Sequence, residues 1–267
     1  MERRLAEAGI EQPQAESWFL MEAFCGIDRN FYYLHNQEEM PDEQFVRYEQ
    51  MTDTRCSHVP LQYLTGSQEF MGLEFEVNPH VLIPRQDTEV LVEAVLERLE
   101  SGMQVLDLCT GSGCIAVSLK HYRPDCCVTA SDVSEQALET AKENGKKNQT
   151  DITWIHSDLF EKIQGSFDVI VSNPPYIPTA VIETLMPEVR EHEPMSALDG
   201  TEDGLYFYRK ITEESVGYLK DGGFLCYEIG HDQGDSVSAI MEEAGYKNVC
   251  VIRDLAGLDR VAIGRRA

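Results

Sequence analysis

From residue 103 to residue 264 the chain alternates short apolar runs of strand period with amphipathic helical stretches, and few folds accommodate that alternation. Strands are predicted at 103–108, 126–131, 151–156, 167–172, 223–229, 247–253 and 260–264. Helices at 113–122, 134–146, 203–219 and 233–244 fall between most of them. Such repetition packs as a doubly wound, mostly parallel sheet with helices on both faces. The close spacing of the last two strands lets them pair antiparallel at an edge. The predicted class is therefore α/β with a seven-stranded sheet. Open sheets of this kind bind ligands outside the carboxyl ends of their strands, so the residues that end strands are the ones to read for chemistry.

The first strand ends in Asp107-Leu108-Cys109-Thr110-Gly111-Ser112-Gly113, and a helix follows at once. Glycines there let the backbone approach a ligand and open a helix N-terminus beneath it. The second strand ends at Asp132, whose carboxylate can accept both hydroxyls of a ribose. Gly111-x-Gly113-x-x-Ala116 also satisfies the dinucleotide pattern, so a nicotinamide cofactor competes. Two carboxylates, Asp107 and Asp132, favour a ligand bearing an ammonium or sulfonium group over a pyrophosphate. The third strand ends in Asp158-Leu159-Phe160, which offers an acceptor to an adenine amino group and apolar flanks to its ring. Asp158 reads almost equally well as a helix cap. S-adenosylmethionine satisfies all of these groups.

The fourth strand, Phe167 to Ser172, runs into Asn173-Pro174-Pro175-Tyr176. Proline cannot donate to a ladder and biases the preceding residue away from helix. Asn173 is thereby held at a strand tip, where its primary amide can pair with another planar NH2 group. Tyr176 offers a flat face beside it. The same four residues also make an ordinary proline-rich turn with a capping asparagine.

Residues 1 to about 65 carry helical periodicity and no convincing strand. Trp18, Leu20, Met21 and Phe24 share a face, as do Phe31, Tyr32 and Leu34 on a shorter segment. A further helix is predicted from Pro41-Asp42 with Phe45, Val46 and Tyr48 turned inward. Between 67 and 83 the period changes to two, predicting a hairpin, and Thr88 is read as the cap of a helix from Glu89 to Leu99. The domain reading is a helical domain at 1–66, a hairpin linker at 67–84 and a catalytic domain at 85–267.

Twenty-two basic residues stand against 47 acidic ones, a formal charge of -25. Such a surface repels phosphate backbones and suits a basic protein partner. No stretch reaches the about 18 apolar residues of a membrane span, and the N-terminus lacks the marks of a targeting peptide. Eight cysteines without a C-x-x-C pair point to a reducing cytosol, with neither structural metal nor disulfides.

These residues resemble the class I S-adenosylmethionine-dependent methyltransferases, of Rossmann-like fold. Within them the chain is similar to the N5-glutamine methyltransferases of peptide-chain release factors. The likeness includes Gln62-Tyr63-Leu64-Thr65-Gly66, Leu82-Ile83-Pro84-Arg85-Gln86-Asp87-Thr88-Glu89, the glycine loop and Asn173 to Tyr176. It continues through Glu193-Pro194 to Ala197-Leu198, Asp203-Gly204-Leu205 and Glu228-Ile229-Gly230. The resemblance implies cofactor contacts at Cys109, Thr110, Gly111, Ser112, Gly113, Asp132, Leu159 and Asn173, and substrate contacts at Asn173, Pro174, Pro175 and Tyr176. It implies a helical domain that helps to dock the substrate protein, and a glutamine in a Gly-Gly-Gln loop as methyl acceptor. Asn173 Oδ1 and the Pro174 carbonyl would accept the two N–H bonds of that glutamine, leaving S-adenosylhomocysteine as co-product. Cys109 stands where the family usually has glycine, and Gln86 replaces the usual proline after Arg85. A ribosomal-protein glutamine or a nucleic-acid amino group is the alternative acceptor. His121, His156 and His192 lack ligand spacing, and Glu188, Glu191 and Glu193 read as a solvated acidic loop.

Overall fold

The computed structural model describes residues 1–267. Its elements begin with five helices, α1 (Glu2–Glu7), α2 (Pro13–Cys25), α3 (Arg29–His35), α4 (Asp42–Cys56) and α5 (Leu61–Thr65). The hairpin strands β1 (Ser67–Phe70) and β2 (Leu73–Glu76) follow, then α6 (Gln86–Leu96), β3 (Gln104–Leu108), α7 (Cys114–Tyr122), β4 (Cys127–Asp132), α8 (Glu135–Lys147), β5 (Ile152–His156) and β6 (Phe167–Ser172). After three short helices, α9 (Thr179–Ile182), α10 (Pro187–His192) and α11 (Met195–Leu198), come α12 (Tyr206–Ser215), β7 (Leu219–Glu228), α13 (Gly234–Glu243), β8 (Lys247–Arg253) and β9 (Asp259–Arg265). The chain forms two compact units, Met1–Ser67 with Met186–His192, and Gln68–Leu185 with Glu193–Ala267.

The helical unit buries Leu5, Ile10, Leu20, Met21, Cys25 and Tyr48 in one cluster, with the Tyr48 hydroxyl donating to the Ser17 carbonyl at 2.8 Å. Arg55, also buried, donates to both carboxylate oxygens of Glu16 (2.5 and 3.1 Å) and to Glu188 Oε1 (3.0 Å). The inward face predicted for α4 is only partly so. Tyr48 is buried, but Phe45 and Val46 are about half exposed, because the helix packs through a narrower stripe than its apolar residues would allow. No residue of α3 is buried.

In the larger unit the sheet order is β5-β4-β3-β6-β7-β9-β8. The five strands β5 to β7 pair in parallel, and β9 inserts between β7 and β8, antiparallel to both. The predicted antiparallel pair thus exists, but only β8 lies at the edge. Period-two alternation sorts the strand side chains into two cores: Val105, Val169 and Val171 to one face, Leu106, Leu108 and Ile170 to the other. Because both faces are covered, these strands read as continuous apolar runs.

Several predicted boundaries move. Helix α6 starts at Gln86 with Arg85 at its N-cap, so Thr88 lies inside the helix and caps nothing. Helix α12 is shorter than 203–219, because Leu219 already pairs with Phe167 as the start of β7. The chain from Val77 to Arg85 forms no strand beyond Asn78-Pro79. Glu89 Oε1 accepts the Met71 N–H at 2.7 Å, fastening the hairpin turn to α6. Buried Asn144 fastens the other side: it accepts from Glu76 N (2.6 Å) and donates to the carbonyls of Glu76 (3.0 Å) and Ser112 (2.9 Å).

Candidate active site

The strand order of the sheet reverses between the parallel neighbours β3 and β6, and a cleft opens over the carboxyl ends of β3, β4 and β6 at that point. Cys109, Thr110, Gly111, Ser112, Asp132, Asp158, Leu159, Asn173 and Pro175 all line it. Gly113, Pro174 and Tyr176 are not among the lining residues.

The loop after β3 owes its shape to backbone that few residues adopt. Gly111 and Gly113 have φ of 55° and 81°, and Cys109 is left-handed too, at 59°. That value accounts for a glycine preference at position 109 and shows how the thiol is accommodated, at a backbone cost of order 1–3 kcal/mol. Burial, with Asp132 nearby, holds the Cys109 thiol well above its ordinary pKa, so it stays neutral in the cleft. A Cβ on Gly113 would press on Ala141 and the Trp154 ring, so the loop also needs glycine for helix packing.

Asp132 is the loop's anchor. Its Oδ2 accepts the Gly111 N–H at 2.8 Å and its Oδ1 accepts the Ser134 N–H at 2.9 Å. Burial raises its pKa, and those N–H groups oppose the rise. Each oxygen keeps a lone pair for a ligand hydroxyl. Asp107, expected to face the ligand, instead lies fully buried beneath the loop and off the cleft wall. Its Oδ2 accepts from the Thr110 hydroxyl (2.6 Å) and Ala116 N (3.2 Å), while Oδ1 has no partner. Desolvation pushes its pKa up to about 7. Leu159 sits at φ 42°, with its carbonyl accepting from the Ser157 hydroxyl at 2.9 Å. Asp158 is exposed at the rim.

At the tip of β6 the Asn173 side chain makes no hydrogen bond within the protein, and the Pro174 carbonyl accepts none. Tyr176 is directed elsewhere: its hydroxyl donates to Glu228 Oε1 at 3.3 Å. Arg85 also lines the cleft and donates to Glu193 Oε1 at 2.5 Å. The acidic run is therefore not uniformly solvated. Glu188 and Glu193 are committed to Arg55 and Arg85, and only Glu191, paired with Arg190, lies outside.

Residues 1–66 match the PrmC N-terminal domain and residues 85–188 the methyltransferase small domain. A release factor glutamine methyltransferase of Geobacter sulfurreducens is 42% identical, covering 98% of this chain and 92% of the relative. Its counterpart from Moorella thermoacetica is 45% identical over 99% of this chain and 95% of its own. The chain belongs to the release factor glutamine methyltransferase family. It is an S-adenosylmethionine-dependent methyltransferase. A methyltransferase from Pyrococcus furiosus shares the fold, with a TM-score of 0.57 at 21% identity over 74% of this chain and 91% of its own.

The cleft of this methyltransferase suits that cofactor. Asp132 and Asp158 offer acceptors for hydroxyls and an amino group, and Arg85 is the one guanidinium on the wall, where a carboxylate could pair with it. No lysine lines the cleft, which weighs against the pyrophosphate of a dinucleotide. Phe207, Ser196 and Ala197 also lie on the cleft wall. Nothing in their local pattern separates them from ordinary helix residues, although Ala197 stood inside a motif already matched to the family.

Proposed function

We propose that this enzyme methylates the side-chain nitrogen (N5) of the glutamine in the Gly-Gly-Gln loop of peptide-chain release factors, acting in the cytoplasm on protein rather than nucleic acid or membrane. The observation that carries this reading is the unclaimed Asn173 amide at the cleft, next to an unclaimed Pro174 carbonyl. Two acceptors side by side match the two N–H bonds of a primary carboxamide. An acidic surface of formal charge -25 suits a basic protein partner. No helix is long and apolar enough to cross a membrane.

In this reading Asp132 holds the ribose hydroxyls, Asp158 and Leu159 the adenine, and the backbone from Cys109 to Gly113 the amino-acid tail, whose carboxylate pairs with Arg85. Bound there, S-adenosylmethionine supplies a sulfonium-activated methyl group and leaves as S-adenosylhomocysteine. Asn173 Oδ1 and the Pro174 carbonyl accept the substrate's N–H bonds and fix the nitrogen's direction. Such alignment can remove up to about 7–11 kcal/mol of barrier. The same acceptors stabilise positive charge as it builds on that nitrogen. Its proton becomes acidic and passes to water, so the Asn173–Tyr176 segment needs neither imidazole nor carboxylate. Residues 1–66 serve as the docking domain, 67–84 as linker and 85–267 as catalytic domain.

The test is tandem mass spectrometry of a release factor incubated with enzyme and cofactor. One added methyl on the Gly-Gly-Gln glutamine is expected. Label found instead on ribosomal protein or nucleic acid would overturn the assignment.

A further inference from the structure

Tyr176 belongs to the substrate-binding segment yet is partly buried and does not line the cleft, and four groups outside that segment hold it. Its hydroxyl donates to Glu228 Oε1 at 3.3 Å, at the end of β7. Its carbonyl accepts from Gln233 Nε2 at 3.0 Å, and the same nitrogen reaches the Gly204 carbonyl at 3.4 Å. Gln233 Oε1 in turn accepts the Gly230 N–H at 3.0 Å, so this one buried amide joins three segments. Gly200 and Gly204 lie so close to the Tyr176 main chain that a Cβ on either would overlap it. Beyond the tyrosine, Ile177 N donates to the Leu198 carbonyl (3.0 Å) and Gly200 N to the Ile177 carbonyl (2.8 Å). Glu228 is itself fixed: Tyr208 donates to its carbonyl at 2.9 Å.

We propose that Tyr176 is a positioning residue, and that the Glu228–Tyr176–Gln233 clamp sets the angle at which Asn173 and the Pro174 carbonyl meet the substrate nitrogen. The clamp rests on the site reading above. The apolar face toward the substrate amide is then supplied by Pro175 and Phe207, which line the cleft as Tyr176 does not. A tyrosine that stacked on the substrate would need its ring; a tyrosine that anchors needs its hydroxyl. This difference separates the two roles, because misplacement on the scale of an ångström is enough to cost about a hundredfold in rate.

The experiment compares Tyr176→Phe, Glu228→Leu, Glu228→Gln and the double variant Tyr176→Phe/Glu228→Leu. It reads kcat and KM for the release factor, the S-adenosylhomocysteine dissociation constant by calorimetry, and the melting temperature. Tyr176→Phe should lower kcat about tenfold or more, while cofactor affinity stays within about twofold. Glu228→Leu should do the same, the double variant should be no worse than the poorer single one, and Glu228→Gln, which keeps an acceptor, should recover most of the rate. A wild-type kcat for Tyr176→Phe, or multiplying losses in the double variant, would overturn the clamp. Should Glu228→Leu fail to fold, Tyr176→Phe decides alone. If the wild-type enzyme modifies no glutamine, the site reading has failed separately. Hydrogen exchange at Ile177 then tests the clamp: faster exchange in Tyr176→Phe supports it, and unchanged exchange overturns it.

Discussion

The main-chain N–H of Gly111 donates to the Asp132 carboxylate at 2.8 Å, so the acid that ends β4 also shapes the loop that follows β3. One side chain thereby serves two purposes, holding the glycine turn and presenting free lone pairs to the cleft. Asp132→Ala is expected to raise the S-adenosylhomocysteine dissociation constant by about tenfold or more, since a charged hydrogen bond contributes about 1.5–3 kcal/mol. Calorimetric titration checks it, and an unchanged constant would remove the contact.

Asn173→Ala should abolish turnover while cofactor binding survives in reduced form. Its amide is engaged by no protein group, so little stability depends on it. Single-turnover methylation within a few-fold of the wild type would exclude Asn173 from the acceptor role.

Asp107 gives the fold a defined pH dependence. Its carboxyl titrates near 3.8 when unperturbed and at about 7 in the buried site. Between those values the folded state holds a proton that the unfolded chain has lost, so this group's contribution falls as pH rises through the window and is level above it. Asp107→Asn does not titrate and should gain stability relative to the wild type from about pH 4 to about pH 7, by up to about 4 kcal/mol. Urea unfolding across that range checks the sign; a difference that does not vary with pH contradicts it.

In the helical unit, Arg55→Met would leave Glu16 as a partly buried carboxylate without its cation and Glu188 with His58 alone. Stranding charge in this way costs about 3–5 kcal/mol. Thermal unfolding should show the loss, and replacing Glu16 and Glu188 with glutamine in the same variant should restore part of it.

The alternation of strand and helix after residue 103 was legible because a strand buried on both faces must be apolar throughout and must end where polar residues and glycine begin. For that reason Asp132 and Asn173 could be picked out as strand tips, and both line the cleft. Boundaries were less legible. Thr88 had the composition of a helix cap, but the helix begins earlier, at Gln86, and Thr88 is buried within its first turn. Phe45 and Val46 had helical spacing, yet which part of an apolar stripe is covered depends on neighbours that a local pattern does not contain.

Local chemistry along the chain therefore determined the order of elements, the glycine loop and the amide at the tip of β6. Tertiary structure alone decided which polar groups line the cleft and which support those that do. Asp107 and Tyr176 lie within two residues of cleft-lining positions in the chain, but neither lines the cleft: Thr110 and Ala116 hold the one, Glu228 and Gln233 the other. The physical reason is that a polar group withdrawn from water must find its partner wherever the packed chain brings one: within the same loop and helix for Asp107, and from elements more than fifty residues away for Tyr176.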